Sequence, residues 1–316
     1  MSAVLALVGG GVVGQRIALR ADRLGLPVEL RQVDPRRGEL PACDAVVIVS
    51  PEPHLELAAE AIGRGMHVVT VGDDLDDLRA LLDLNDDAVA AGAALVVGAG
   101  MSPGLVGLLA RRLADRLVVA DEIHVATHGT AGPACARQHH RALSGRAVGY
   151  HDGGWIVRPA GSGRELCWFP EPVGAYDCYR SSRGTTLALH AAFPDATRLS
   201  ARNSANRRDR LTAWLPMLSP PHREGGVGAI RVEVRGRDAD GGRVTAVAGI
   251  AELVGTAAAA TAAAAVAAVL RDEVPAGAWT LGDERLDTAG LLGEVARLGV
   301  RLQEFTGIPH PVSATG

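Results

Sequence analysis

Residues 3–34 read AVLALVGGGVVGQRIALRADRLGLPVELRQVD, and they carry the most informative pattern in the chain. Residues 3–8 are a short apolar run, and residues 12–24 carry apolar side chains at helical spacing, so the stretch predicts a strand followed by a helix. Residues 27–33 predict a second strand that ends at turn formers. Between the first strand and the helix, residues 9–14 satisfy the pattern G-x-G-x-x-G in the strand-to-helix context that gives it meaning.

The glycine pattern predicts a site for a dinucleotide. Gly9 suits the tight turn, Gly11 has no Cβ to block the pyrophosphate, and Gly14 lets the helix lie close to the strand. The free N–H groups at the start of the helix favour phosphate oxygens. Asp34 stands at the end of the second strand, where a carboxylate can accept hydrogen bonds from the adenosine ribose. We also assign six residues at the start of the helix and at strand ends to the cofactor, namely Val12, Val13, Ser50, Pro51, Gly100 and Met101.

The choice between NAD and NADP depends on residues just after the second strand. The Asp34 carboxylate repels a 2′-phosphate and therefore favours NAD. Arg36 and Arg37 follow at once, and their guanidinium groups can pair with that phosphate. We favour NADP, on the assumption that Asp34 turns aside, and keep NAD as the alternative.

Strands and helices alternate through the first third of the chain, and the strands are apolar on both faces. This pattern predicts an α/β fold, a Rossmann doubly wound parallel sheet covered by helices on both sides. Further strands are expected at residues 44–49, 67–71, 94–97 and 122–127, with helices at 54–63 and 75–91 and a helix beginning near Pro103. Beyond residue 149 the apolar period changes to two, which predicts a second α+β domain containing a mixed or antiparallel sheet.

We expect residues 1–122 to form the dinucleotide-binding domain and residues 123–250 an α+β domain for substrate binding and dimerisation, so that the protein is a homodimer. Residues 251–316 are expected to pack back on the first domain. Residues 256–270 are rich in alanine and predict a helix capped by Thr256, unless the stretch is only a compositional bias. The turn at residues 238–242 predicts a hairpin between strands at 229–235 and 244–248.

Composition excludes several classes of protein. Aromatic residues make up 3% of the chain and the net charge is -4, so a nucleic-acid surface is not expected. No apolar stretch is long enough to span a membrane, and we predict a soluble, cytoplasmic protein without membrane contact. The 4 cysteines lack C-x-x-C spacing, and no histidine group has a third ligand nearby, so no metal site is predicted.

Two further stretches resemble the saccharopine dehydrogenase family. Residues 97–105, V-G-A-G-M-S-P-G-L, resemble that family's G-x-x-P-G-[LI] loop, and residues 61–69, A-I-G-R-G-M-H-V-V, are similar to its A-G-x-H-V-V-D stretch. The sequence from Gly249 to Trp279 and residues 291–299 also fit. The resemblance implies NAD(P)-dependent oxidation or reduction at a C–N bond, joining or splitting amino acids through imines. It also implies a C-terminal segment that returns to the first domain.

The chain departs from the saccharopine-cleaving members of that family. Ser102 stands where they carry an acid, and Val106-Gly107 stands where they continue with Asp-His. The substrate is therefore left open. The loop at residues 100–104 follows the fifth strand, so we expect Met101 and Ser102 to contact substrate near the nicotinamide, unless Met101 only packs.

Proton transfer and substrate binding need further groups. Along the strand at residues 122–127 and its end, His124 and His128 share a face, and we expect His128 to face the cleft as an acid or base, the alternative being a hydrogen-bonded structural histidine. His139 and His140 are adjacent on a helix, so at most one of them faces the pocket. Ser102 and His139 are the other catalytic candidates.

A basic cluster provides candidates for binding a small molecule that carries a carboxylate. Arg207 and Arg208 are assigned to the substrate, and Arg202 and Arg210 lie nearby in the sequence. The cluster surrounds a predicted helix start, with Ser204 or Asn206 as its cap. The alternative is a solvated surface helix. The leading function is thus an imine- or amino-acid-related oxidoreductase. A reductase of another double bond, such as an enoyl group, and a catalytically silent dinucleotide-binding protein are the alternatives.

Overall fold

The computed structural model describes residues 2–23, 25, 27–34, 40–218 and 220–305. The strands are β1 (Ala3–Val8), β2 (Val28–Val33), β3 (Ala45–Ile48), β4 (His67–Thr70), β5 (Ala94–Val97), β6 (Val119–His128), β7 (Arg146–His151), β8 (Gly154–Pro159), β9 (Glu165–Trp168), β10 (Ala175–Tyr179), β11 (Arg198–Ser204), β12 (Val227–Arg237), β13 (Arg243–Leu253), β14 (Gly277–Thr280) and β15 (Gln303–Phe305). The helices are α1 (Val12–Ala18), α2 (Leu55–Gly63), α3 (Leu75–Leu82), α4 (Asn85–Ala91), α5 (Val106–Ala114), α6 (Pro133–Arg141), α7 (Thr185–Ala192), α8 (Arg207–Leu211), α9 (Val254–Leu270) and α10 (Thr288–Arg297).

The first sheet is parallel throughout, in the order β14-β5-β4-β3-β1-β2. Its apolar strands are buried on both faces, because alternate side chains enter two separate clusters. Leu5 and Leu7 pack on the side of α1 and α9, whereas Ala6 and Val8 pack on the side of α2, α3 and α4. The predicted doubly wound parallel sheet is confirmed.

The strand next to β5 comes from the far end of the chain. The sequence led us to expect that a sixth strand would follow at residues 122–127, and a strand does lie there, but it is β6 of the second sheet. β14 pairs with β5 instead, with Gly277 opposite Ala94 and Thr280 opposite Val97. The C-terminal segment is therefore part of the first sheet.

The second sheet is mixed and mostly antiparallel, with the main order β15-β13-β12-β6-β11-β10-β9. β6 and β11 are parallel, and the other pairs are antiparallel. The predicted hairpin joins β12 to β13, and its turn is closed by the Asp238 carboxylate, which accepts hydrogen bonds from the N–H groups of Asp240 and Gly242. β7 also pairs with β11 and carries β8 beside it, so the sheet divides at β11.

Helix α9 fills the space between the two sheets. Alanine has the highest helix propensity and the smallest side chain after glycine, so the helix is buried almost throughout while lying close to its neighbours. Near its start, a Cβ on Gly255 would lie 2.9 Å from Val12 Cγ1. The expected Thr256 cap is wrong: the helix begins at Val254, and the Thr256 hydroxyl accepts a hydrogen bond from Arg16 at 2.8 Å.

Two helices have bounds that differ from the predicted ones. The acidic helix expected over residues 75–91 is divided into α3 and α4, and Asp74 caps α3 by accepting hydrogen bonds from Asp76 and Asp77. A wide turn at Met101–Leu105 precedes α5, with Ser102 in an extended conformation, so the regular helix begins at Val106 rather than at Pro103. Among the helices of the described residues, none is long and apolar enough to cross a membrane.

Candidate functional site

A cleft of about 990 Å³ lies at the carboxyl edge of the parallel sheet. Its first wall consists of the loops that follow β1, β3, β4 and β5, and its second wall comes from α6, β11 and the loop before α7. Loops after the strands of an open parallel sheet are where such folds bind their ligands. The cleft is therefore the candidate active site.

Three positions in the loop after β1 are glycine for different reasons. Gly9 has φ +114°, and a Cβ on Gly14 would meet the Gly9 carbonyl oxygen at 2.1 Å, so the fold itself requires both glycines. Gly11 has φ -73°, which any residue adopts, and a Cβ there would meet no atom within 4 Å. Its absent side chain leaves space in the cleft that the protein does not use. The loop therefore fits a dinucleotide pyrophosphate.

Most of the residues predicted to bind the cofactor line this cleft. Those along it are Gly9, Gly11, Val12, Val13, Ser50, Pro51, Gly100 and Met101. Gly14 lies beneath the loop, against Gly9. Asp34 is exposed at the end of β2 and is not part of the cleft lining, and Arg36 and Arg37 lie outside the described residues.

An ion pair that the sequence analysis missed lies inside the cleft. Asp73, just after β4, pairs with Arg183, just before α7, and the two side chains are 7% and 10% exposed. Burial raises the pKa of the Asp73 carboxyl, against the opposing effect of Arg183. Burial acts to lower the pKa of Arg183, but Asp73, Cys135 and Glu52 together outweigh it and raise that pKa overall. Arg183 is therefore a cation held within the cleft.

Glu52 extends this charged group. Its Oε1 accepts hydrogen bonds from Gln138 Nε2 at 2.8 Å and from the Asp73 N–H at 3.2 Å. The cleft thus presents carboxylates from the loops after β3 and β4 next to the guanidinium of Arg183. The Arg183 Nε is buried and has no hydrogen-bond partner among the residues that the structure describes. Such a juxtaposition suits a ligand that carries both a carboxylate and an amine.

Two of the three catalytic candidates lie along the cleft. Ser102 lines it, and its hydroxyl shares a hydrogen bond of 2.9 Å with the hydroxyl of Thr185. His139 also lines it, and its Nε2 donates to the Ser204 carbonyl at 2.9 Å, which leaves Nδ1 as an acceptor. Burial, with Arg183 adding to it, lowers the pKa of His139 to about 3. The His139 ring is therefore neutral at physiological pH.

His128 lies elsewhere. Side chains alternate along β6, and it is Thr127 that reaches the cleft. The His128 ring lies 4.1 Å from the Tyr176 ring and 5.9 Å from the Phe169 ring, and its Nδ1 is hydrogen-bonded to the Ser204 hydroxyl at 2.8 Å. The expectation that His128 faces the cleft is therefore corrected, because the opposite face of β6 is turned to it. His140 is buried against the carbonyls of Thr212 and Leu215.

The basic cluster does not converge on the cleft. Arg207 and Arg208 are exposed on α8, which Asn206 caps by accepting a hydrogen bond from the Asp209 N–H at 2.7 Å. Neither arginine lines the cleft, since α8 lies on the surface beyond β11. Their geometry matches the alternative of a solvated helix. Arg202 pairs with Glu165 at 2.6 Å on the other face of the second sheet.

Two of the three residues that the sequence analysis missed could have been found from the sequence. Glu52 and Asp73 each follow a buried strand of the parallel sheet, where the rule for ligand sites could have found them. Arg183 gave no local signal, because it comes from the second part of the chain. Within the described ranges, no three His, Cys, Asp or Glu side chains are grouped as the ligands of a metal ion would be.

The fold is shared with solved structures of dehydrogenases. The structure is similar to apo saccharopine dehydrogenase (L-Glu forming) from Saccharomyces cerevisiae, with a TM-score of 0.67 and 14% sequence identity over 96% of this chain and 100% of that chain. Weaker likenesses are to C. glutamicum DAP dehydrogenase in complex with DAP (TM-score 0.48, 14% identity, 94% and 98% covered) and to an engineered D-amino acid dehydrogenase bound to NADP+ (TM-score 0.49, 14% identity, 92% and 96% covered). No family model and no curated protein matches the sequence. The resemblance to saccharopine dehydrogenase thus extends to the fold of almost the whole chain.

Proposed function

We propose that this protein is an NAD(P)-dependent oxidoreductase that acts at a C–N bond of an amino-acid-related imine or secondary amine. One observation carries the proposal: the open space in front of Gly11 and the Asp73–Arg183 pair lie in the same cleft. The first suits a dinucleotide and the second suits an amino-acid substrate. Its support from known proteins is the shared fold of the yeast saccharopine dehydrogenase.

The order of residues along the cleft supports a position for each part of a dinucleotide. A dinucleotide whose pyrophosphate lies over Gly11 would run along the carboxyl edge of the sheet toward Gly100 and Met101. NAD(P), when bound, supplies the hydride acceptor or donor. Ser102 follows Met101 at this end of the cleft, and we keep it with His139 as a candidate for holding or relaying a proton.

Arg183 takes the role that we first assigned to Arg207 and Arg208. We propose that its guanidinium holds a substrate carboxylate and that Glu52 and Asp73 attract the substrate amine. The buried surroundings strengthen these charge-assisted hydrogen bonds, because little water competes for them. An enoyl reductase would need an apolar pocket, so this charged group disfavours that alternative.

The finer cofactor assignment is part of the proposal. We retain NADP as the favoured cofactor on the sequence argument and NAD as the alternative. The replacement Asp34→Ala should weaken NADH binding and leave NADPH binding unchanged or stronger, because the carboxylate serves the ribose hydroxyls of NADH and opposes a 2′-phosphate. Calorimetric titration with both cofactors measures this, and equal changes for both would count against a role of Asp34 in the choice.

The activity is tested with pairs of 2-oxo acids and amines, and with secondary-amine amino acids in the reverse direction, by following NAD(P)H absorbance. We expect turnover with carboxylate-bearing substrates and none with enoyl thioesters. Arg183→Lys should raise KM about 10- to 100-fold, since a charge-assisted hydrogen bond contributes ~1.5–3 kcal/mol, whereas Arg207→Lys on the exposed α8 should change nothing. Cofactor binding without turnover on any substrate would instead support a catalytically silent protein.

A further inference from the structure

A second cavity, of about 320 Å³, lies where the second sheet divides. β11 pairs with β7 through Arg198 and Leu199 at its start, and with β10 through Asn203 and Ser204 at its end. The β7–β8 and β9–β10 hairpins therefore diverge from one strand. The floor of the cavity between them is the face of the sheet that carries His124, opposite the face that lies toward the cleft.

Arginines dominate the lining of this cavity. Six of them line it, with only two carboxylates, those of Glu165 and Glu233; the arginines are Arg158, Arg180, Arg198, Arg202, Arg231 and Arg235. The register of β11 and β12 against β6 places four of these arginines in two pairs. Arg202 and Arg231 lie on either side of Ala126, and Arg198 and Arg235 lie on either side of Glu122.

The carboxylates present do not neutralise these arginines. Arg231 and Arg235 share Glu233, Arg235 also pairs with Glu122, and Arg202 pairs with Glu165. In the described part of the chain, Arg158, Arg180 and Arg198 form no ion pair within 4.0 Å. The cavity thus holds an excess of positive charge.

Arg180 is the clearest case of uncompensated charge. A Cβ on Gly163 would lie 1.9 Å from Arg180 Nη1 and 3.0 Å from Arg202 Nη1, so the two guanidinium groups meet at this glycine. Burial, followed by the nearby Arg202 and Arg158, lowers the pKa of Arg180. Like charges held this close repel each other, and an anion between them would relieve the repulsion.

We propose that this arginine cavity binds a small multivalent anion, with phosphate or carboxylate groups, at a site separate from the dinucleotide cleft. Guanidinium groups match both kinds of anion through paired hydrogen bonds. The volume suits one compact anion of the size of pyrophosphate or citrate. The two carboxylates in the lining hold three of the arginines in place, while Arg158, Arg180 and Arg198 supply the free charge.

The test is calorimetric titration of the full chain with pyrophosphate and, separately, with citrate. We expect saturable binding of at least one of them, weakened about 10-fold by Arg180→Gln and by Arg198→Gln. Arg237→Gln, at the exposed end of β12 and outside the cavity, is the matched control and should bind as the unaltered protein does. Preference for one probe identifies the phosphate or the carboxylate as the group that is bound.

Two variants separate this site from the cleft. Gly11→Val should block the dinucleotide and leave anion binding in the arginine cavity intact, whereas Arg180→Gln and Arg198→Gln should leave NAD(P)H binding intact. Since Arg198 is exposed, its variant keeps the test valid even if Arg180→Gln does not fold. The proposal is overturned by the absence of saturable binding of both probes, or by binding that Arg198→Gln leaves unchanged.

Discussion

Asp73 and Arg183, 110 residues apart in the chain, form a buried ion pair that joins the parallel sheet to the second part of the molecule. The backbone supports the pair, because the Gly184 N–H donates to the Asp73 carbonyl at 2.7 Å. The side chains are therefore held in a fixed geometry within the cleft before any ligand arrives. This arrangement serves binding by reducing the reorganisation that a ligand must cause.

Removal of one member of this pair should destabilise the protein strongly. We expect Arg183→Gln or Asp73→Asn to lower the free energy of unfolding by ~3–5 kcal/mol, because the partner is left as a buried, unpaired charge. The double variant should lose less than the sum of the two. Urea denaturation measures all three. Arg297→Gln, which removes a partly exposed pair with Glu294, is the control and should cost about 1 kcal/mol or less. Strict additivity would show that the pair has no coupling energy.

The glycines of the first loop should separate stability from binding. Gly14→Ala should lower the free energy of unfolding by ~1–3 kcal/mol or more, since its Cβ would meet the Gly9 oxygen at 2.1 Å. Gly11→Val should fold normally and lose NAD(P)H binding. Thermal denaturation and NADPH fluorescence titration measure the two effects, with Gly293→Val, whose Cβ meets nothing within 4 Å, as the control. Undiminished cofactor affinity in Gly11→Val would place the pyrophosphate elsewhere.

His139 should make stability depend on pH. The pKa of its imidazole falls from an ordinary value of 6.5 to about 3 on folding, so the unfolded chain binds a proton that the folded one does not. The contribution is present above pH ~6.5 and is lost as the pH falls toward 3, by up to about 1.4 kcal/mol per pH unit. Denaturation at pH 7 and pH 5 should show a smaller decrease for His139→Gln than for the unaltered protein. Equal decreases would mean that His139 titrates normally.

The position of His128 predicts a structural rather than a kinetic effect. In His128→Asn, loss of the ring contact with Tyr176 should lower the free energy of unfolding by ~0.5–1.5 kcal/mol, and turnover of the folded enzyme should stay within about twofold. Steady-state kinetics and thermal denaturation of the same variant measure both. A folded variant with turnover reduced ~10²-fold or more would restore His128 as an acid or base.

Local patterns were sufficient to predict five of the strands that form the parallel sheet in the described residues, β1 to β5. The apolar runs at β1, β3 and β5 are buried on both faces and bounded by turn formers, so nothing competes with a strand there. β14 could not be identified in this way. Its four residues have little periodicity of their own, and only pairing with β5, far away in the sequence, makes them a strand.

The wall of the cleft formed by the loops after the parallel strands was predicted more completely than the wall formed by the second part of the chain. Residues 9–14 form a continuous motif, whereas Arg183 reaches the cleft only because two parts of the chain pack together. The error at His128 has a definite cause. Both faces of β6 carry partly buried side chains, so the alternation of residues established which ones share a face but not which face lies toward the cleft.

The place of β14 in the first sheet has a consequence during synthesis. After β5 has been synthesised, the chain must still be extended to Thr280 before the strand that pairs with β5 exists. At ~5–20 residues per second, this takes on the order of 10–40 seconds. Proteolysis of ribosome-bound chains stalled before and after β14 emerges would show whether protection of β5 begins only then. Throughout that interval the nascent chain exposes an apolar strand edge, the kind of surface that chaperones cover and that otherwise aggregates.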